Sequence, residues 1–148
     1  MIFQHQFEKG FSILEILIIL SLSTALVISG TLTFSKVKRS EELFSTTLHI
    51  VNLLEKARAK SIANEKDRAW KVVIIIDRAS LQDEYGNLLE SYQLPEAYSI
   101  QGPTNEIIFK KIDGFVQECP SNCLFEVREV SGNLYHQFNI LNSGAVEY

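Results

Sequence analysis

Two cysteines, three histidines and one isolated carboxylate are the residues of this 148-residue chain whose type or spacing points to chemistry. Cys119-Pro120-Ser121-Asn122-Cys123 places three residues between its thiols. A thioredoxin-like motif has two, and zinc would need ligands beyond His136. In an oxidising compartment a disulfide between Cys119 and Cys123, stapling a turn, is the expected state where geometry allows it. His5, His49 and His136 have no partners at metal-ligand spacing, so neither a metal nor another cofactor is expected. A phosphate-cradling glycine loop, HExxH and a nucleophile elbow are all missing from the sequence. The carboxylates are scattered as on a solvated surface, so no catalytic residue is expected and the chain reads as a non-enzyme.

Glu15 is the exception among those carboxylates, because it is the only charged residue between Gly10 and Lys36. The twenty residues from Ile16 to Ser35 carry no charge. As a helix they would extend about 30 Å, the thickness of a bilayer's hydrocarbon core. A carboxylate in such a stretch costs about 2.5–3.5 kcal/mol near the helix centre and less near its end. A cleaved secretory signal with Ser23-Thr24-Ala25 as its site is opposed by Glu15, by the run continuing past Ala25, and by Glu8 beside Lys9. A permanent single-pass anchor explains the length and leaves Glu15 over. A buried soluble helix would be shorter and would show a polar face.

The elements that hold these residues divide by composition. The whole chain is 46% hydrophobic and 22% charged with a net charge of −4, which excludes a disordered tail, a collagen-like repeat and a disulfide-dense mini-scaffold. Residues 36–68 hold 8 basic and 5 acidic side chains, whereas 69–148 hold 5 and 11. The acidic half would be repelled by phosphate backbones, so nucleic acid is not expected as a partner.

The pattern from 36 to about 66 is helical. Leu43, Phe44, Leu48, Ile50, Val51, Leu54, Ala57 and Ile62 fall on one broad face, with Glu42, Ser45, His49, Asn52, Lys56 and Lys60 opposite. No proline interrupts 11–66, so both stretches can form one helix of roughly 80 Å. From Ala69 onward the runs 70–77, 88–94, 106–112, 123–130, 134–141 and 145–148 read as strands. Turns are predicted at Tyr85-Gly86-Asn87, Gly102-Pro103, Asp113-Gly114, Ser131-Gly132-Asn133 and Asn142-Ser143-Gly144. Short strands with close turns predict antiparallel sheets packed on the amphipathic helix.

Lys9-Gly10-Phe11-Ser12-Ile13-Leu14-Glu15, leading into the uncharged span, resembles the class III signal of type IV pilins and type II secretion pseudopilins. The segments ARAKSIANE and WKVVIIID resemble the H-type minor pseudopilin and FimT-like branch, as do Gly86-Asn87, Leu94-Pro95, Ile108-Phe109 with Gly114, and the terminal FNILNSGAVEY. The resemblance implies cleavage by a prepilin peptidase between Gly10 and Phe11, N-terminal methylation of Phe11, and Glu15 as an assembly residue that pairs with a neighbour's terminal amine. It implies an α+β, pilin-like fold: a long N-terminal helix, half in membrane and half amphipathic, packed on an antiparallel β-sheet head. The corresponding divisions are a leader at 1–10, a transmembrane and assembly helix at 11–35, its amphipathic continuation at 36–68 and an extracytoplasmic head at 69–148.

The function so implied is that of a minor pilin or pseudopilin of a type IV pilus or a type II secretion pseudopilus. Its partners would be the prepilin peptidase, other pilin or pseudopilin subunits, a membrane assembly platform and the lipid bilayer. Its place would be the inner membrane, with the head outside. Lys36, Lys38 and Arg39 follow the span while only Lys9 and His5 precede it, so charge counting alone points the other way. The alternatives are a permanently membrane-anchored extracytoplasmic binding module and a DNA-uptake minor pilin.

Overall fold

In the computed structural model of the chain, residues 12–148 are described, apart from the side chains at 29–33. Gly10 and Phe11 therefore lie outside the described residues. The chain divides into two compact units, Met1–Arg39 and Ser40–Tyr148. Helix α1 (Ile13–Ile62) contributes to both.

In the first unit, Ser12 caps α1, its hydroxyl accepting the amide of Leu14 at 3.3 Å and its carbonyl the amide of Ile16 at 3.1 Å. Two hydroxyls within the apolar run are satisfied inside the helix. Ser21 Oγ donates to the Ile18 carbonyl at 2.8 Å and Thr24 Oγ1 to that of Leu20 at 2.7 Å.

Among the described residues no helix is long and apolar enough to cross a membrane. This corrects the expected membrane half of the fold. With it fall the transmembrane helix, the single-pass inner-membrane location, and the lipid bilayer and membrane platform as partners. The fold is α+β, with α1 and one 3-10 turn (Glu65–Asp67) accompanying two antiparallel sheets.

The second unit holds all the strands found among the described residues. The first sheet has the order β3 (Leu88–Gln93), β2 (Arg78–Asp83), β1 (Trp70–Ile75), β5 (Glu106–Phe109), and the second β4 (Tyr98–Gln101), β6 (Asn122–Glu129), β7 (Tyr135–Leu141), β8 (Val146–Glu147). Alternation sets which side chains face inward. Trp70, Val72 and Ile74 of β1 are buried, as are Cys123, Phe125, Val127 and Glu129 of β6. Apart from Glu129, they meet Leu43, Ile50, Val51, Leu53, Leu54 and Ala57 of α1 in one core, with Phe125 stacked on Phe138 at 5.3 Å.

The buried helix face is narrower and more polar than expected. Phe44 and Ile62 are exposed, while Thr46, Thr47 and Ser61 are buried. Thr47 returns its hydroxyl to the Leu43 carbonyl at 2.9 Å. Ser61 Oγ accepts the Trp70 amide and donates to the Phe109 carbonyl, both at 3.0 Å. Small hydroxyl residues so satisfied let the helix approach the sheet closely without orphaned polar groups.

Candidate functional site

The expected site residues are dispersed along the chain. Glu15 is exposed in the first turn of α1, in the unit Met1–Arg39. Cys119 and Cys123 belong to the other unit, where they are disulfide-bonded with Cα atoms 5.3 Å apart and both residues buried. The bridge closes the bend that leads into β6. Its burial keeps it from exchange with soluble thiols, which suits a staple rather than a redox centre.

Two concave surfaces lie within Ser40–Tyr148. The larger, about 470 Å³, is lined by His49, Asn52, Leu53 and Lys56 of α1 and by Glu90, Ser91 and Tyr92 of β3. The helical residues recur at i, i+3, i+4 and i+7, one stripe facing the strand. Two contacts join the walls. The His49 and Tyr92 rings stack at 4.6 Å, and Lys56 Nζ lies 2.9 Å from Glu90 Oε2. Both charged groups are about half exposed, so the pair orders the groove more than it stabilises the fold. The smaller surface, about 380 Å³, lies beside the β1–β2 turn and the end of β4, and includes Ile75, Ile76, Gln101 and Thr104.

Electrostatics concentrate elsewhere, at the β2–β3 turn. The buried carboxylate of Asp83 accepts the amides of Tyr85 (3.1 Å) and Asn87 (2.8 Å), the Asn87 side-chain amide (2.8 Å) and an ion pair from Arg68. The Asn87 side chain above all, then its backbone amide and Arg68, hold the carboxyl at about 2 against the usual 3.8, although burial pushes the other way. Arg68 also covers the Tyr85 ring at 5.0 Å. On the second sheet Gln137 and then Arg128 lower the pKa of Glu126. Both clusters are internally satisfied and read as structural.

Three buried side-chain atoms among the described residues have no hydrogen-bond partner: Arg58 Nε, His136 Nδ1 and Asn139 Oδ1. No group of three or more His, Cys, Asp or Glu among the described residues could hold a metal ion. The sequence pattern missed the groove because it assigned His49, Asn52 and Lys56 to a solvated helix face. A strand rich in Leu, Glu and Tyr gives no sign that it will end a sheet beside them.

Compared with protein-family models, curated proteins and solved structures, the chain matches none of them. Neither a matching family nor a membrane-crossing helix among the described residues supports a minor pilin or pseudopilin. That expectation is set aside, together with the prepilin peptidase and pilin subunits as partners and the membrane-anchored and DNA-uptake alternatives.

Proposed function

We propose that this protein is a non-enzymatic, self-associating subunit whose N-terminal helix is its assembly element. One observation carries the reading. Eleven large apolar side chains from Ile13 to Ile28 are exposed, between 47% for Ile16 and 79% for Ile13. Full burial of such a side chain is worth about 1.5–3 kcal/mol. Six on each of two helices, allowing for the part already covered, give roughly 10–20 kcal/mol, which competes with an association cost of about 4–15 kcal/mol. The run is apolar around the whole helix, so one partner would leave its far side in water. A bundle of three or more helices meets the requirement.

The polar residues of the run suit such a bundle. Ser21 and Thr24 already spend their hydroxyls on helix carbonyls, so burying them orphans nothing. Glu15 is the one charge in 13–28 and needs a cationic partner from a neighbouring chain once covered, which fixes the register between helices. Kinship with the family whose signal residues 9–15 resemble belongs to this proposal as kinship alone, and no processing, membrane or filament role is drawn from it.

Sedimentation velocity on the full chain tests the reading. The expected result is a discrete oligomer of three or more chains, reduced to monomer by the Leu17→Lys, Leu20→Lys double variant with the circular dichroism of the β-rich unit unchanged. Glu15→Ala should still associate but with a spread of sizes. A wild-type monomer across the accessible concentration range, or a double variant that associates as the wild type does, would overturn it.

A further inference from the structure

We infer that the cationic partner of Glu15 is Lys36 of a second copy of this chain running antiparallel to the first, in a four-helix bundle of alternating direction. This arrangement rests on the self-associating bundle proposed above and adds the direction in which neighbouring helices run, which exposed apolar surface alone does not decide.

The two charges bracket the run. Glu15 stands before the twenty uncharged residues from Ile16 to Ser35, and Lys36 stands directly after them. Both are exposed and both belong to the unit Met1–Arg39, joined by an unbroken stretch of α1. Twenty-one positions separate them, about 31 Å of helix. Two helices that overlap along the whole uncharged run in opposite directions bring Glu15 of each level with Lys36 of the other. One overlap makes both pairs at once and leaves none of the run outside it.

The spacing also sets the side of the helix. Twenty-one positions are three heptads, so Glu15, Leu22 and Lys36 lie on one stripe of α1, given the slight left-handed supercoil that a heptad repeat imposes. The flanks of an antiparallel helix pair bring like heptad positions together, and this stripe then carries opposite charges at each end. In a parallel pair in register, a flanking position faces one five residues away along the partner. For Glu15 that is Leu20 or Gly10, and neither carries a charge. A parallel bundle would also gather every Glu15 at one level and every Lys36, Lys38 and Arg39 at another, setting like charges together where apolar packing has displaced water. Alternating directions interleave the two signs instead. A closed ring in which each neighbour runs the other way needs an even number of helices. Burial all round each helix needs at least three, so the smallest assembly is four.

The full chain is suited to a direct test of direction. Cys119 and Cys123 are bonded and buried, so a nitroxide can be placed on Val37→Cys alone, at a half-exposed position. Double electron–electron resonance on the oligomer should show a separation of about 35 Å between antiparallel neighbours, whereas parallel helices hold all such labels within roughly 20 Å. Diagonal copies share a direction and add a shorter separation, so the long one is diagnostic. Sedimentation velocity should give four chains. Glu15→Lys should weaken the assembly by roughly 10-fold or more, and the Glu15→Lys, Lys36→Glu variant should restore it, because the exchanged charges still meet. A wild-type monomer would overturn the bundle and its direction together. An oligomer with only short separations, an odd number of chains, or Glu15→Lys restored by Lys9→Glu and not by Lys36→Glu would overturn the antiparallel arrangement and leave the bundle standing.

Discussion

The Ser61 hydroxyl accepts the backbone amide of Trp70 at 3.0 Å while donating to the carbonyl of Phe109, so one buried side chain joins the end of α1 to β1 and β5. Ser61→Ala would leave a donor and an acceptor buried without partners. At about 1–3 kcal/mol for each such group, the expected loss is about 2–6 kcal/mol in urea denaturation, with an unchanged slope. A loss under about 0.5 kcal/mol, ordinary for a surface position, would show that the hydroxyl is not the pin.

Asp83 predicts an acid limb. Its carboxyl is held at about 2 in the folded chain against 3.8 as an ordinary value. A depressed pKa contributes stability that is complete above the unfolded value and is lost as pH falls through the folded one. The contribution of Asp83 therefore disappears between pH of about 4 and about 2. Asp83→Asn should melt below the wild type at neutral pH, and the two melting temperatures should converge towards the acid end of that window. Parallel curves across it would refute the assignment.

Two glycines in left-handed backbone should respond unequally to alanine. Gly86 (φ +85°) has open space where a Cβ would stand, whereas a Cβ at Gly144 (φ +75°) would run into the carbonyl oxygen of Gly114. Gly86→Ala should cost about 1 kcal/mol, the conformational penalty alone. Gly144→Ala should cost that and a further 1–3 kcal/mol or so for displacing packed backbone. Thermal melts of the two variants give the order directly, and a reversed order would contradict the packing of the 110–116 loop against 142–145.

Replacing both cysteines should weaken the fold without changing it. A ring of five residues removes about 2 kcal/mol of unfolded-state entropy at most. Cys119→Ser, Cys123→Ser should therefore unfold at lower denaturant, by no more than that amount, with the native circular dichroism kept. Complete loss of structure would mean that the bend before β6 depends on the bridge.

Much of the secondary structure was legible locally. The runs at 70–77, 88–94, 106–112, 123–130, 134–141 and 145–148 occur as β1, β3, β5, β6, β7 and β8, with glycine turns at 86, 114 and 144 in left-handed backbone. Two strands escaped. In β2, Arg-Ala-Ser-Leu-Gln-Asp, only Leu81 is a large apolar residue, and the turn before it, at Ile76 and Asp77, carries no glycine, proline or asparagine. β4 has four residues. Both are strands because neighbours pair with them, which is a tertiary reason.

The helix shows the same division. Its apolar stripe marked the face that packs, yet Phe44 and Ile62 on that stripe stay exposed and Ser61 beyond it is buried. Exposure of the whole 13–28 run was legible only as apolarity, and apolarity does not say what covers it.

The sequence by itself determined the apolar entry to α1, the lone Glu15 within it, the alternation of the strands and the cysteine pair. Each depends on spacing along the chain, and residues a few positions apart keep their relative directions in any fold. Only the tertiary structure decided that the strands form two sheets, that β3 ends one of them, that Lys56 meets Glu90 across 34 positions, and that Ser61 bridges α1 to Trp70 and Phe109. These depend on which distant segments pack together, and that is set by the burial of the whole core rather than by any local period.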